Sequence, residues 1–109
     1  MSEPKALYAL IAPSGQLSGN GQLRETVKER RNRKGEDVPF WYLSTELVKK
    51  FNLPGENSEA VVADSLTAIN WLKLRFGGEF LQVNLNVEKL REEATSLPPG
   101  PIERNISIQ

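Results

Sequence analysis

The chain has 109 residues, enough for one small domain, and its 14 basic and 14 acidic residues give a formal net charge of zero. This balance argues against a nucleic-acid or membrane binder, because such proteins normally carry a basic excess. The sequence contains neither cysteine nor histidine, which excludes a disulfide scaffold, a thiol nucleophile and a zinc–thiolate site. Without histidine, the chain also lacks the side chain that most often acts as a general base at neutral pH. We therefore expect a domain that is not an enzyme and that holds no metal and no cofactor.

The N-terminal third begins with a predicted strand. Residues 6–12 form a short apolar run that is ended by turn residues, which is typical of a buried strand. Residues 16–21 read as a loop. Residues 22–33 are rich in helix formers, and Leu23 and Val27 lie four apart on one face. Because only those two positions are apolar, we expect a largely solvated helix.

The middle of the chain holds the densest aromatic stretch. Residues 38–43 combine β-branched and aromatic side chains and predict a strand, in which Pro39 belongs at the start or on an edge because it lacks an N–H. A short helix over 45–51 and a very short buried strand over 60–63 follow.

The C-terminal part contains a helix over 66–76, preceded by the candidate caps Asp64 and Ser65 and stopped by two glycines. Alternation over 79–84 predicts a half-buried strand, and 87–93 a short charged helix. Residues 95–109 contain three prolines within four positions and predict a disordered tail.

These elements indicate an α+β fold. We expect a single domain over residues 1–94, with about four strands in a largely antiparallel sheet packed with helices, and a disordered tail over 95–109. No stretch approaches the ~18 consecutive apolar residues of a membrane span. We expect a cytoplasmic protein, or a stromal one if it comes from a plastid.

Three regions are candidate binding sites. Phe40 and Trp41 are adjacent on a strand, so they point to opposite faces. Either one of them is exposed, which would suit a protein interface, or both belong to the core. The basic cluster that includes Arg30 and Arg31 is either a solvated helix end or a protein-docking patch. Arg75 follows Trp71 by one helical turn, and it could stack on that ring or pair with a carboxylate of a partner. An intramolecular carboxylate such as Asp37 is the alternative partner for Arg75.

Six short strings within residues 6–80 match a known family in the same order. They are Leu7-Tyr8-Ala9-Leu10-Ile11-Ala12, Glu29-Arg30-Arg31, Phe40-Trp41, Ala60-Val61-Val62, Trp71-Leu72-Lys73-Leu74-Arg75 and Gly78-Glu79-Phe80. In these strings the chain resembles the small accessory subunit of the aerobic magnesium-protoporphyrin IX monomethyl ester cyclase of cyanobacteria and chloroplasts. The Trp-Leu-Lys-Leu-Arg string is the most specific of the six.

The resemblance implies a function as well as a fold. Members of the family are not catalysts; they bind the di-iron catalytic subunit of the cyclase and support its assembly or accumulation in chlorophyll biosynthesis. The resemblance implies a small, largely antiparallel sheet with packed helices. It also implies a cytoplasmic or stromal protein that reaches the thylakoid or plasma membrane through its partner. No transmembrane segment and no bound nucleic acid are expected.

The resemblance also implies binding residues. In the family, an acidic residue just before the Phe-Trp pair, the Phe itself and the Arg of the specific string take part in cyclase binding. Phe40 and Arg75 occupy two of those positions, whereas the acidic position is Pro39 here, with Asp37 two residues upstream. The implied partner-binding set is Phe40, Trp41, Arg75, Asp37, Arg30 and Arg31.

Two other functions compete with this one. A small domain could bind a tetrapyrrole and present it to an enzyme, although no histidine is available as an axial magnesium ligand. A nucleic-acid module would use the basic helix end and the aromatic side chains, and its affinity would fall steeply with salt.

Overall fold

The computed structural model describes residues 5–17, 22–29 and 37–101. Within these ranges the chain alternates between five strands and four helices. In chain order they are β1 (Lys5–Pro13), α1 (Gln22–Glu29), β2 (Asp37–Leu43), α2 (Thr45–Lys50), β3 (Ser58–Ala63), α3 (Leu66–Phe76), β4 (Glu79–Leu85), α4 (Val87–Glu93) and β5 (Thr95–Pro101).

The strands form one sheet in the order β4-β1-β3-β2-β5, in which every neighbouring pair is antiparallel. Strands β1 and β2 therefore run in the same direction with β3 between them, and α1 connects them. In the same way, β3 and β4 run parallel on either side of β1, and α3 connects them. The core of the fold is thus two interlocked split β-α-β units.

Helices cover both faces of the sheet. Side chains alternate between the two faces along each strand, so each face carries its own set of core residues. The first face carries Leu10, Phe40 and Val61 and packs against α1 and α3. The second face carries Ala9, Trp41 and Val62 and packs against α2 and α4. The central strand β3 is buried on both faces, which explains its continuous apolar run.

The α+β class and the single antiparallel sheet are confirmed, but the sheet has five strands rather than four. The predicted disordered tail is wrong for residues 95–101, which form β5 against β2. Leu97 is buried in the first-face core, and this contact offsets the entropy of ordering the segment. The prolines of β5 are tolerated because an edge strand needs few outward N–H donors. Residues 102–109 lie outside the described ranges.

Two local predictions also change. Pro39 lies neither on an edge nor at the first residue of its strand, since β5 makes β2 an interior strand. The β2–β5 register shifts between Val38 and Phe40, and this irregularity accommodates a residue that has no N–H. Helix α1 is less solvated than expected, because Leu23, Thr26 and Val27 are all buried.

None of the helices in the described ranges combines the length and the apolar content needed to cross a membrane.

Candidate docking surface

The two aromatic residues of the predicted binding set lie in the interior. Phe40 is 1% exposed on the first face of the sheet, and Trp41 is 5% exposed on the second. Both are therefore core residues, and neither presents its ring to a partner. Of the two alternatives for this pair, the structure has both rings in the core, because β5 and the helices on both faces cover β2.

Asp37, Arg30 and Arg31 are three further charged residues of the set. Asp37 is the first residue of β2 and lies opposite Pro101 of β5. Arg30 and Arg31 follow the last described residue of α1, and with the rest of the basic cluster they lie outside the described ranges.

Arg75 is the one residue of the set whose side chain the structure places at the surface, in the last turn of α3. It also takes part in an interaction within the chain. Phe40 pairs with Ala63, just before the start of α3. Arg75 lies nine positions after Leu66, a rise of about 14 Å along the helix. The Phe40 backbone thus pairs with a residue three positions before α3, whereas Arg75 lies in the last turn of that helix.

Helix α3 divides the specific string between core and solvent. Trp71 and Leu72 are buried, whereas Lys73, Leu74 and Arg75 are exposed. Leu74 is 78% exposed, because it lies about 200° around the helix from Leu72, the residue that faces the sheet. We call Leu74 and its exposed neighbours Lys73 and Arg75, which lie about 100° to either side of it around the helix, the α3 outer face.

Specific contacts hold both ends of α3 in place. The helix begins with the Ser65 hydroxyl accepting a hydrogen bond from the Ala68 N–H at 3.2 Å. At its other end, the Gln16 side-chain amide donates to the Phe76 carbonyl at 2.6 Å. The chain then turns sharply through Gly78, which has φ +99° and leaves no room for a side chain. These contacts present the α3 outer face on a rigid element.

A second exposed apolar residue lies just beyond that turn. Phe80 is 40% exposed on β4 and stacks on Tyr8 with a ring-centroid distance of 5.8 Å. Leu74 and Phe80 are the large hydrophobic residues that the described part of the chain leaves exposed. Sequence periodicity predicts that Leu74 lies away from the core positions of α3, but the exposure of Phe80 depends on β4 being an edge strand.

The structure buries a carboxylate whose burial the sequence analysis does not predict. Glu59 is 1% exposed, and it accepts hydrogen bonds from the Leu17 N–H at 2.6 Å and from the Tyr42 hydroxyl. The signal in the sequence is an acidic residue directly before a run of four apolar strand residues. In the described ranges, no three acidic side chains are grouped so that they could hold a metal ion.

An open cavity of about 550 Å³ lies where β1 ends and β4 begins. Its walls include Ile11, Pro54 and Phe80, and its polar side chains come from Gln16, Ser58 and Glu79. Among the described residues, no arginine or lysine lines it, so this part of the chain supplies the cavity with no cationic group for a carboxylate or phosphate ligand.

Comparisons of this chain with protein-family models, with curated proteins and with solved structures gave no match.

Proposed function

We propose that this protein is a non-catalytic accessory factor that binds the catalytic subunit of the aerobic magnesium-protoporphyrin IX monomethyl ester cyclase and supports its assembly in chlorophyll biosynthesis. The proposal starts from the resemblance in six sequence strings. It would place the protein in the cytoplasm or stroma, at a membrane surface only through its partner.

The observation that carries the proposal is the division of the specific string on α3. Packing explains Trp71 and Leu72, which are buried against the sheet. It does not explain Leu74, whose side chain stands in solvent between Lys73 and Arg75. An apolar side chain flanked by cations suits a partner surface with an apolar pocket and acidic neighbours.

A non-catalytic role agrees with the side-chain chemistry of this protein. The sequence has no histidine and no cysteine. Its one fully buried carboxylate in the described ranges, Glu59, is engaged by Tyr42 and by the Leu17 N–H. These contacts fit a structural role for that group.

The test measures how tightly the purified, immobilised protein captures the cyclase catalytic subunit. It compares the wild type with the variant Leu74→Glu. A charge at Leu74 is tolerated in solvent, with a helix-dipole cost below about 1 kcal/mol, but it would be buried unpaired in a complex. We expect capture by the wild type and at least a tenfold weaker affinity for the variant at a nearly unchanged melting temperature.

Lys89→Glu is the matched control, because Lys89 is an exposed residue of α4 on the second face and the change in charge there is larger. This variant should capture the subunit as well as the wild type does. Failure of the wild type to capture the subunit, or full capture by Leu74→Glu, would contradict the proposal.

The pigment-presenting alternative has less support. The cavity beside β4 is large enough for part of a macrocycle, but the described residues that line it offer no cation for the propionate of such a pigment, and Glu79 would repel it. A visible-absorption titration with a magnesium porphyrin tests this alternative directly.

A further inference from the structure

The two edges of the sheet are protected to very different degrees. Strand β5 contains Pro98, Pro99 and Pro101 and pairs with β2 through an irregular register. Prolines and irregular pairing are standard means of preventing a sheet edge from accepting another strand. Strand β5 therefore forms a closed edge.

Strand β4 has none of these protections. Its seven residues contain no proline and no lysine, and they pair with β1 in an unbroken register from Glu79 to Leu85. Within the described part of the chain, no strand lies on its outer side. Every second residue of an edge strand directs its N–H and C=O outward, so β4 presents a row of main-chain groups ready for pairing.

The sequence of β4 is complementary to itself. We propose that two copies of this protein pair antiparallel through β4, about a two-fold axis at Gln82, so that their sheets join into one continuous sheet. Gln82 is the middle residue of the strand, so this register is the one that pairs all seven residues. The proposal does not depend on the proposed function.

The side chains on both faces suit this register. On the second face, Leu81 of one copy lies opposite Val83 of the other, on both sides of the axis. Each of these side chains is half-buried in the single chain, and a second copy would cover them further. On the first face, the exposed Phe80 lies opposite Asn84.

Charge also permits this pairing. Glu79 is the sole charged residue of β4, and in this register it lies opposite Leu85. The two Glu79 carboxylates are then about 20 Å apart along the strands, and two copies with zero formal net charge do not repel each other. The two Gln82 side chains meet at the axis, where each amide can both donate and accept.

Sedimentation analysis of the full chain, from about 1 µM to about 1 mM, tests the proposal in the range where weak interfaces dissociate. We expect a reversible dimer. Gln82→Lys and Gln82→Glu each place like charges opposite each other at the axis, so each variant alone should dimerise at least tenfold more weakly. An equimolar mixture of the two should recover the dimer, because opposite charges then meet.

Ser96→Lys is the matched control, because Ser96 is an exposed residue of the closed edge strand β5. It should leave the dimer unchanged. A second readout uses the absence of cysteine in the chain: after mild oxidation, Gln82→Cys should form a disulfide-linked dimer and Ser96→Cys should not.

A wild type that stays monomeric up to about 1 mM would overturn the proposal, and the β4 edge would then be open to a strand of a different protein. A dimer that persists in both Gln82 charge variants would also overturn it, since the interface would lie elsewhere. Circular dichroism and melting temperatures of all variants show that folding is intact.

Discussion

The Tyr42 hydroxyl of β2 donates a hydrogen bond to the Glu59 carboxylate of β3, and this carboxylate is 1% exposed. The other Glu59 oxygen accepts from the Leu17 N–H in the turn after β1. One carboxylate therefore connects two strands and a turn on the first face of the sheet. Hydrogen bonds to charged, buried acceptors are among the stronger contributions that a polar group makes to stability.

We predict that Glu59→Ala destabilises the protein by about 3 kcal/mol, because two donors lose their acceptor in the interior. The melting temperature should fall by roughly 12 °C or more for a domain of this size. Tyr42→Phe should have a smaller effect, about 1 to 2 kcal/mol, since the carboxylate keeps the Leu17 N–H. Urea denaturation of both single variants and the double variant would give the coupling energy.

Glu56→Ala is the control, because Glu56 is an exposed acidic residue three positions away. Its stability should match that of the wild type. Equal losses for Glu56→Ala and Glu59→Ala would show that the buried hydrogen bonds contribute nothing specific.

A second prediction concerns two glycines with similar backbone angles and different surroundings. A Cβ at Gly78 would lie 2.6 Å from the Ile11 carbonyl oxygen, whereas a Cβ at Gly15 would meet nothing within 4 Å. Their φ angles are +99° and +93°, so substitution by alanine adds similar backbone strain of about 1 to 2 kcal/mol at both positions. Gly78→Ala should lose clearly more stability than Gly15→Ala, because it must also displace the β1 backbone. Equal losses in denaturation experiments would contradict the contact at Ile11.

The third prediction concerns β5. Leu97 is 5% exposed in the first-face core, next to the exposed Ser96. Leu97→Ala should therefore cost about 2 to 4 kcal/mol, and Ser96→Ala should cost almost nothing. Thermal denaturation measures both. A stability of Leu97→Ala equal to that of the wild type would indicate that β5 is not packed in solution.

Much of the fold can be predicted from the sequence because the local signals agree with the tertiary ones. The bounds of α3 follow from its caps and apolar spacing and coincide with 66–76, and α4 coincides with the short charged helix predicted over 87–93. Strand β1 is marked by its apolar run and its terminal turn. These elements bury a continuous apolar pattern, and periodicity detects such a pattern.

The rest depends on contacts that are distant in the sequence. Strand β5 has only Leu97 as a strong apolar anchor among its prolines, and its pairing with β2 depends on the sheet being present. Burial of both Phe40 and Trp41 requires helices on both faces, which alternation along one strand does not reveal. Glu59 resembles a surface residue until Leu17 and Tyr42 are brought to it by the fold.

The last prediction separates packing from binding at Phe40 and Arg75. Phe40→Ala removes a fully buried ring, so it should cost about 3 to 5 kcal/mol. Its capture of the cyclase catalytic subunit should fall only in proportion to the unfolded fraction. Phe40→Leu, which keeps most of the apolar volume, should recover both stability and capture.

Arg75→Ala should show the opposite pattern. Arg75 is exposed, so its loss should lower stability by about 1 kcal/mol or less, while capture weakens by about 2 kcal/mol if the guanidinium pairs with a partner carboxylate. Arg75→Lys should recover only part of the affinity, because the planar two-pronged geometry is lost. Arg91→Ala is the matched control, since Arg91 is an exposed arginine in the last turn of α4 on the opposite face. Melting temperature and capture affinity measured on the same preparations decide the case: a folded Arg75→Ala protein that captures as well as Arg91→Ala does would remove Arg75 from the interface.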